Sequence, residues 1–356
     1  MPSGIDVRLL EGSSEVFSSR DRGYFPVVQR IRNNTAIAVI RGGAGHIGLE
    51  GRLELIRTQD CGDTWSEPRT IADSEWDDRN PSVGRSRDGT LVLSYHHQGN
   101  YDEDGRFNPP GERVSTLLKT SSDDGQNWSD PFPLSYGALN GRSPYGRMVN
   151  VGSELIMPIY GASPGKPSSK KGTNSFILRS GDSGRTWGDL TLVSENMSET
   201  SFVNLPDGEI LAVLRSALDH PDALYSSRSN DSGYSWTEPV RITGDSEHPG
   251  DIILLSNGWL LLVFGHRHPP FGVQGMVSTD SGRTWESGSR LIFADDRPGG
   301  DCGYPSVTVF ANGRMLVMYY SAGPGRDSYD HTGSFSKAVL FTEDEMVGAL
   351  KDAGVG

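Results

Sequence analysis

Short apolar runs recur along the chain, most of them introduced by a tight polar turn. Asp88-Gly89-Thr90 leads into Leu91, Asp207-Gly208 into Ile210-Leu211, Asn257-Gly258 into Trp259-Leu260, and Asn312-Gly313 into Met315-Leu316. Asn-Gly and Asp-Gly between apolar runs are the strongest short hairpin signals, because both residue types tolerate the backbone that a two-residue turn requires. Val151-Gly152-Ser153 and Asn33-Asn34 hold the same place in two further units. The pattern predicts six units of short antiparallel strands.

A second signal runs in phase with the first. Five segments read Ser/Thr-x-Asp-x-Gly-x-x-Trp, starting at Thr58, Ser121, Ser180, Ser229 and Ser278 and ending at Trp65, Trp128, Trp187, Trp236 and Trp285. Their aspartates, Asp60, Asp123, Asp182, Asp231 and Asp280, stand 63, 59, 49 and 49 residues apart. A fixed period of this size marks a repeat architecture, and it suits four-stranded blades with loops of varying length. In each turn a buried aspartate is expected to accept turn amides, glycine to take the positive φ, and tryptophan to pack between neighbouring blades. The chain therefore reads as an all-β, six-bladed propeller forming one domain over residues 1–356. The blades fall at about 24–74, 77–137, 143–195, 199–244, 248–294 and 301–345. The last unit lacks the repeat turn, and a strand at Ile5–Leu10 is expected to supply its outer strand and close the ring.

Composition narrows the function classes. A net charge of -13 repels a phosphate backbone, so nucleic acid is not an expected partner. No apolar run is long enough to span a membrane, and the N-terminus lacks the basic and apolar regions of a secretory signal, which makes a cytoplasmic location the expectation. Two cysteines, Cys61 and Cys302, are too few for a disulfide framework and read as free thiols. Adjacent His96 and His97 point to opposite faces of a strand, whereas His266 and His268 share one. With no supporting cysteine or carboxylate spacing, neither a catalytic metal nor another cofactor is expected.

Five such turns on a chain of this length resemble the Asp boxes of the sialidase superfamily, a resemblance that covers nearly the whole sequence. It implies an exo-acting glycoside hydrolase with a carbohydrate substrate. Glu199 opens the fourth unit and Arg215 ends its next strand, as in the sialidase segment whose glutamate activates the nucleophile and whose arginine binds a substrate carboxylate. Tyr304 falls where that family has its nucleophilic tyrosine, with Tyr320 ending the following strand. A neutral phenol suits an anomeric carbon that bears a carboxylate, where an anionic nucleophile is repelled. Arg267 is the candidate for a second carboxylate-binding arginine.

The first unit departs from the family. Gly23-Tyr24-Phe25-Pro26 stands where Phe-Arg-Ile-Pro is expected, and the loop Arg41–Arg52 offers Glu50 or His46 in place of the acid/base aspartate. Asp77-Asp78-Arg79 at the mouth of the second unit is a compensating group, with Asp78 a candidate acid whose pKa its neighbour would raise. Tyr304, Glu199, Glu50 and Asp78 are thus the catalytic candidates. Arg215, Arg267, Arg79, Arg41, His96, Arg142 and Tyr320 are the substrate-binding ones. The same residues leave open a lyase acting on uronate glycans, or a glycan-binding propeller without catalysis.

Overall fold

A computed structural model describes residues 4–108, 113–134, 136, 142–163, 173–217, 222–324 and 327–356. Residue 137, where the sequence ends the second blade, lies outside them. Six small sheets are arranged as the blades of a propeller, each meandering from an inner strand outward. Blade one is built from Tyr24–Arg30, Ala36–Gly42, Arg52–Thr58 and Arg69–Ala72, paired antiparallel in that order.

The repeat turns staple the blades, but not by burying an aspartate. In the first, the Thr58 hydroxyl is buried; it accepts from Gly62 N–H at 2.8 Å and donates to Asp60 Oδ1 at 2.7 Å. Asp60, itself exposed, accepts the Thr64 N–H at 3.0 Å. Cys61 and Gly62 both take positive φ, 58° and 99°, which bends the chain tightly enough for one carboxylate to span it. The other four turns repeat these bonds. The carboxylates stay at the surface because their partners are themselves turn amides and hydroxyls there. Each tryptophan then packs on apolar side chains shared with the preceding blade: Trp128 beside Val39 and Leu93, Trp187 beside Val92 and Leu178.

The ring closes through the N-terminal segment, with a different register from the one expected. Ile5–Asp6 pairs in parallel with Leu291–Ile292 at the edge of blade five. The strand ends there because Asp6 accepts the Arg8 backbone N–H at 3.0 Å and starts a helical turn, which drops Val7 into the core. Ser14–Arg20 is the segment that pairs antiparallel with Phe335–Thr342 and completes blade six.

Blade six replaces its missing tryptophan with a helix, Glu343–Asp352. Thr342 caps it, accepting the Glu345 N–H at 3.2 Å while its hydroxyl donates to Glu345 Oε2 at 2.6 Å. Three acidic residues in the first turn suit the positive end of the helix dipole. Met346 and Leu350 are fully buried with Val263 of blade five and Val339 of blade six. Leu350→Ala is therefore expected to cost about 2–5 kcal/mol. Denaturant titration checks this, and an unchanged midpoint would remove the helix from the closure.

Candidate active site

Five of the six inner strands open with the same distortion. Phe25-Pro26 face one residue of the next strand, as do Asn80-Pro81, Ser198-Glu199, His248-Pro249 and Tyr304-Pro305. Such bulges re-aim a side chain, here toward the funnel. Phe25, Asn80 and Tyr304 take φ of 54°, 49° and 45° immediately before proline, a backbone that side-chain-bearing residues rarely adopt. Strain of this kind persists only where the surrounding sheet imposes it.

Blades four and six converge on one pair. The Tyr304 hydroxyl donates a short hydrogen bond to Glu199 Oε1, and Arg215 Nη1 donates to Glu199 Oε2 at 2.8 Å. Burial works against a charge on Glu199, but Arg215, Tyr304 and Arg267 outweigh it and hold the carboxyl below its ordinary range. Burial and the Glu199 charge push Tyr304 well above the usual phenol value. The resting pair is thus a neutral phenol on a carboxylate.

Arg215 is fully engaged. Its Nε and Nη2 also donate to Asp222, each at 3.2 Å, and Asp222 in turn lies 2.9 Å from His248 Nε2. Burial pushes His248 down to about 4, so a neutral ring donates to that carboxylate. Arg267 differs. Its Nε donates to the Cys302 carbonyl at 3.1 Å and its guanidinium lies 5.2 Å from the Tyr304 ring centre. Its buried Nη2 has no hydrogen-bond partner among the described residues.

Aromatic rings surround Tyr304. Phe25 lies 4.9 Å from it, Tyr320 5.8 Å and Tyr145 6.0 Å, centre to centre. Tyr24 stands where the resemblance calls for arginine, and Arg79 reaches over the ring of the neighbouring Phe25 at 5.8 Å. The Tyr320 hydroxyl donates to Asp301 Oδ1 at 2.5 Å, and His46 Nδ1 lies 3.0 Å from the same atom. His46 packs 5.0 Å from Phe25, which brings it into the Tyr304 cluster. Burial opposes ionisation of Asp301, but His46, Tyr320 and Arg267 outweigh it and lower its pKa. Burial lowers that of His46, with Asp301 opposing.

The two remaining catalytic candidates fall elsewhere. Glu50 is exposed in a turn, with no hydrogen bond to the cluster, because the loop folds back so that His46 faces inward instead. Asp78 is fully buried and lies near Tyr95 and Lys119, on the face of blade two that packs against blade one. Its pKa is pushed up to about 7, chiefly by burial and only secondarily by Asp77. Strand alternation turns Asp77, not Asp78, toward the funnel. There Asp77 accepts Arg41 at 2.7 Å and the Tyr101 hydroxyl at 2.6 Å.

Arg41 was expected to bind substrate but has no exposed surface. It spans Asp77 and the carbonyls of Ala44 and Gly48, and so holds the His46 loop in place. Arg79 contacts Asp77 at 3.4 Å and stays at the funnel wall. His96, opposite Arg79 in the sheet, is pushed down to about 4 by burial and the Arg79 charge, and so is neutral. Arg142 donates to the Ala162 carbonyl at 2.8 Å on the blade-three side. Cys61 and Cys302 are both free thiols, the latter pushed up to about 11 by burial. No described helix is long and apolar enough to cross a membrane.

The sequence reading did not single out Asp222, His248 or Asp301. The signal for His248 was present, since His248-Pro249 repeats the residue-proline step of Tyr304-Pro305.

Solved structures share this fold. A Dyadobacter fermentans protein of unknown function superposes with a TM-score of 0.76 at 21% identity, over 94% of this chain and 99% of that one. The intramolecular trans-sialidase of Ruminococcus gnavus gives 0.67 at 13% identity, over 94% and 98%. An α-L-arabinofuranosidase of Fusarium graminearum gives 0.67 at 12%, over 94% and 99%. At these identities the likeness is one of fold. No curated protein matches the chain in sequence. The family model for the BNR repeat-like domain matches residues 50–317, and with six blades and five in-phase repeat turns the chain belongs to this family of sialidase-like propellers.

Proposed function

We propose that this protein is an exo-acting glycoside hydrolase that removes a terminal acidic or unusual sugar, with Tyr304 as its nucleophile. The observation that carries this reading is the Tyr304–Glu199–Arg215 chain of hydrogen bonds, assembled from blades four and six at the funnel. Glu199 takes the phenol proton as the oxygen attacks the anomeric carbon, and the glycosidic bond breaks toward the leaving oxygen. His46, held by Asp301, gives that oxygen its proton. Water then attacks the glycosyl-tyrosine, and two displacements return the original anomeric configuration.

Arg215, committed to two carboxylates, positions Glu199. Arg267, with an unengaged buried Nη2, and Arg79 are the cations left to meet a carboxylate or hydroxyl groups on the sugar. An adjoining cleft of about 600 Å³, lined by Phe271, Asp301, Asp327 and Asp330, has room for the rest of a glycan. That the fold is shared by a trans-sialidase and an arabinofuranosidase supports a sugar substrate and leaves two chemical classes to separate.

A panel of aryl glycosides carrying sialic acid, uronic acids, arabinose and rhamnose separates them. The expected result is phenol release from one terminal sugar, with the first-formed product in the configuration of the substrate by NMR. Inversion, or an unsaturated uronate absorbing in the ultraviolet, would overturn the mechanism.

A further inference from the structure

Outside the Tyr304 cluster, blade five gathers three donors that the proposed chemistry does not use. Glu247 opens the inner strand and His266 ends the next, directly opposite in the sheet, with His268 two residues on. His266 Nε2 and His268 Nε2 each lie 3.9 Å from Glu247 Oε1, and the two rings are 3.8 Å apart, centre to centre. All three donor atoms fall within 4.8 Å of one another.

We infer that Glu247, His266 and His268 form a binding site for a divalent cation of the zinc type, which fixes the loop carrying Arg267. Two imidazoles and one carboxylate are a borderline donor set, suited to zinc and its first-row neighbours rather than to calcium or magnesium.

Two of the three donors are already directed. His266 Nδ1 lies 2.7 Å from the Pro270 carbonyl, so Nδ1 carries the proton and Nε2 presents its lone pair toward Glu247. A backbone carbonyl on the far nitrogen is the usual outer support of a metal-bound histidine. Glu247 is held the same way. Its Oε2 accepts the Gly244 N–H at 2.7 Å and Arg290 Nη2 at 3.2 Å, which leaves Oε1 for the histidines.

A cation about 2.0–2.2 Å from each donor holds tetrahedral ligand atoms roughly 3.4 Å apart, so the pairs at 3.9 Å need to close by only a few tenths of an ångström. His266 and Glu247 are buried, whereas His268 is half-exposed and leaves an open side for water. Arg290 partly offsets the Glu247 charge and moderates the affinity.

The placement gives the site a use. Arg267 stands between the two histidines, its backbone N–H donating to the Ser246 carbonyl next to Glu247, and its guanidinium facing Tyr304. A cation drawing His266 and His268 onto Glu247 ties both ends of that three-residue segment to the inner strand.

The test needs no sugar substrate, so it stands or falls apart from the proposed hydrolase activity. The full chain, freed of any histidine tag, is titrated with zinc by calorimetry and with cobalt by visible absorption. The expected result is one equivalent bound, cobalt bands in the visible, and a thermal midpoint that rises with added zinc. His268→Ala, at the exposed position, should bind at least about tenfold more weakly and lose the midpoint shift. Absence of saturable binding, or equal binding by His268→Ala, would overturn the proposal.

Discussion

Tyr304→Phe is expected to lower turnover by roughly 10³-fold or more while leaving the propeller folded. The substitution removes one oxygen. The ring keeps its contacts with Phe25, Tyr145 and Tyr320, and the bulge that aims it is a property of the backbone and of Pro305. What is lost is the donor to Glu199 Oε1. Glu199 retains Arg215 on its other oxygen, so the carboxylate is not stranded, and a stability cost of about 1–3 kcal/mol is expected. The decisive reading is kcat on the aryl glycoside that the wild type cleaves, together with trapping of a glycosyl adduct on the wild-type chain only. If Tyr304 were merely a packed aromatic, Phe would preserve the rate, and unchanged turnover would sink the nucleophile assignment. A folded, inactive Phe variant that still binds sugar would separate chemistry from recognition.

What was legible in the sequence was whatever is local. Each repeat turn is built from residues within eight positions, so the bonds of Thr58, Asp60, Gly62 and Thr64 follow from the motif itself. Six blades followed from repetition of that turn and of the Asn-Gly and Asp-Gly hairpins. The buried aspartate was a misreading, because a carboxylate whose partners all lie in the same surface turn has no reason to leave the surface. The closing strand was misplaced for another local reason, the Asp6–Arg8 turn that interrupts the segment from Ile5. Thr342 and Glu345 spell a helix start, in the stretch where the last unit lacks its repeat turn.

The site was legible only where a resemblance supplied long-range pairing. Glu199 and Tyr304 are 105 residues apart, and no periodicity brings them together. Asp222 and Asp301 sit in unremarkable loop sequence and Glu247 merely opens a strand, and the partners of all three lie on other strands or blades. Arg41 shows the converse. Its type and position suggested substrate binding, but only packing reveals that its guanidinium is spent on Asp77 and two loop carbonyls. The twin residues Asp77 and Asp78 differ by one position and hence by a whole face of the sheet, which decides that Asp77 belongs to the funnel.

Glu199→Gln is expected to reduce kcat by about 10²–10⁴-fold, with the loss present across the pH range. The amide matches the carboxylate in shape and can still accept from Tyr304, but it cannot take the phenol proton. Because Glu199 is held below its ordinary range, the wild-type carboxylate stays ionised into acid pH, and the acid limb of its activity should lie below the usual glutamate value of about 4.3. The basic limb belongs to His46. Burial lowers its pKa, so the protonated donor is lost as pH rises through a value below the ordinary 6.5. In Glu199→Gln that basic limb should persist while the acid limb disappears. Stability carries an independent signature. A depressed carboxyl stabilises the fold above its unfolded pKa, and that contribution is lost as pH falls through the folded value. The variant should therefore show a shallower loss of thermal midpoint at acid pH than the wild type. If the pair were only a staple of the funnel, Glu199→Gln would lower the midpoint at neutral pH and leave kcat in place. A base and a staple thus predict opposite rankings of the two measurements, and Arg215, which keeps Asp222 in either case, is what allows the fold to survive for both to be made.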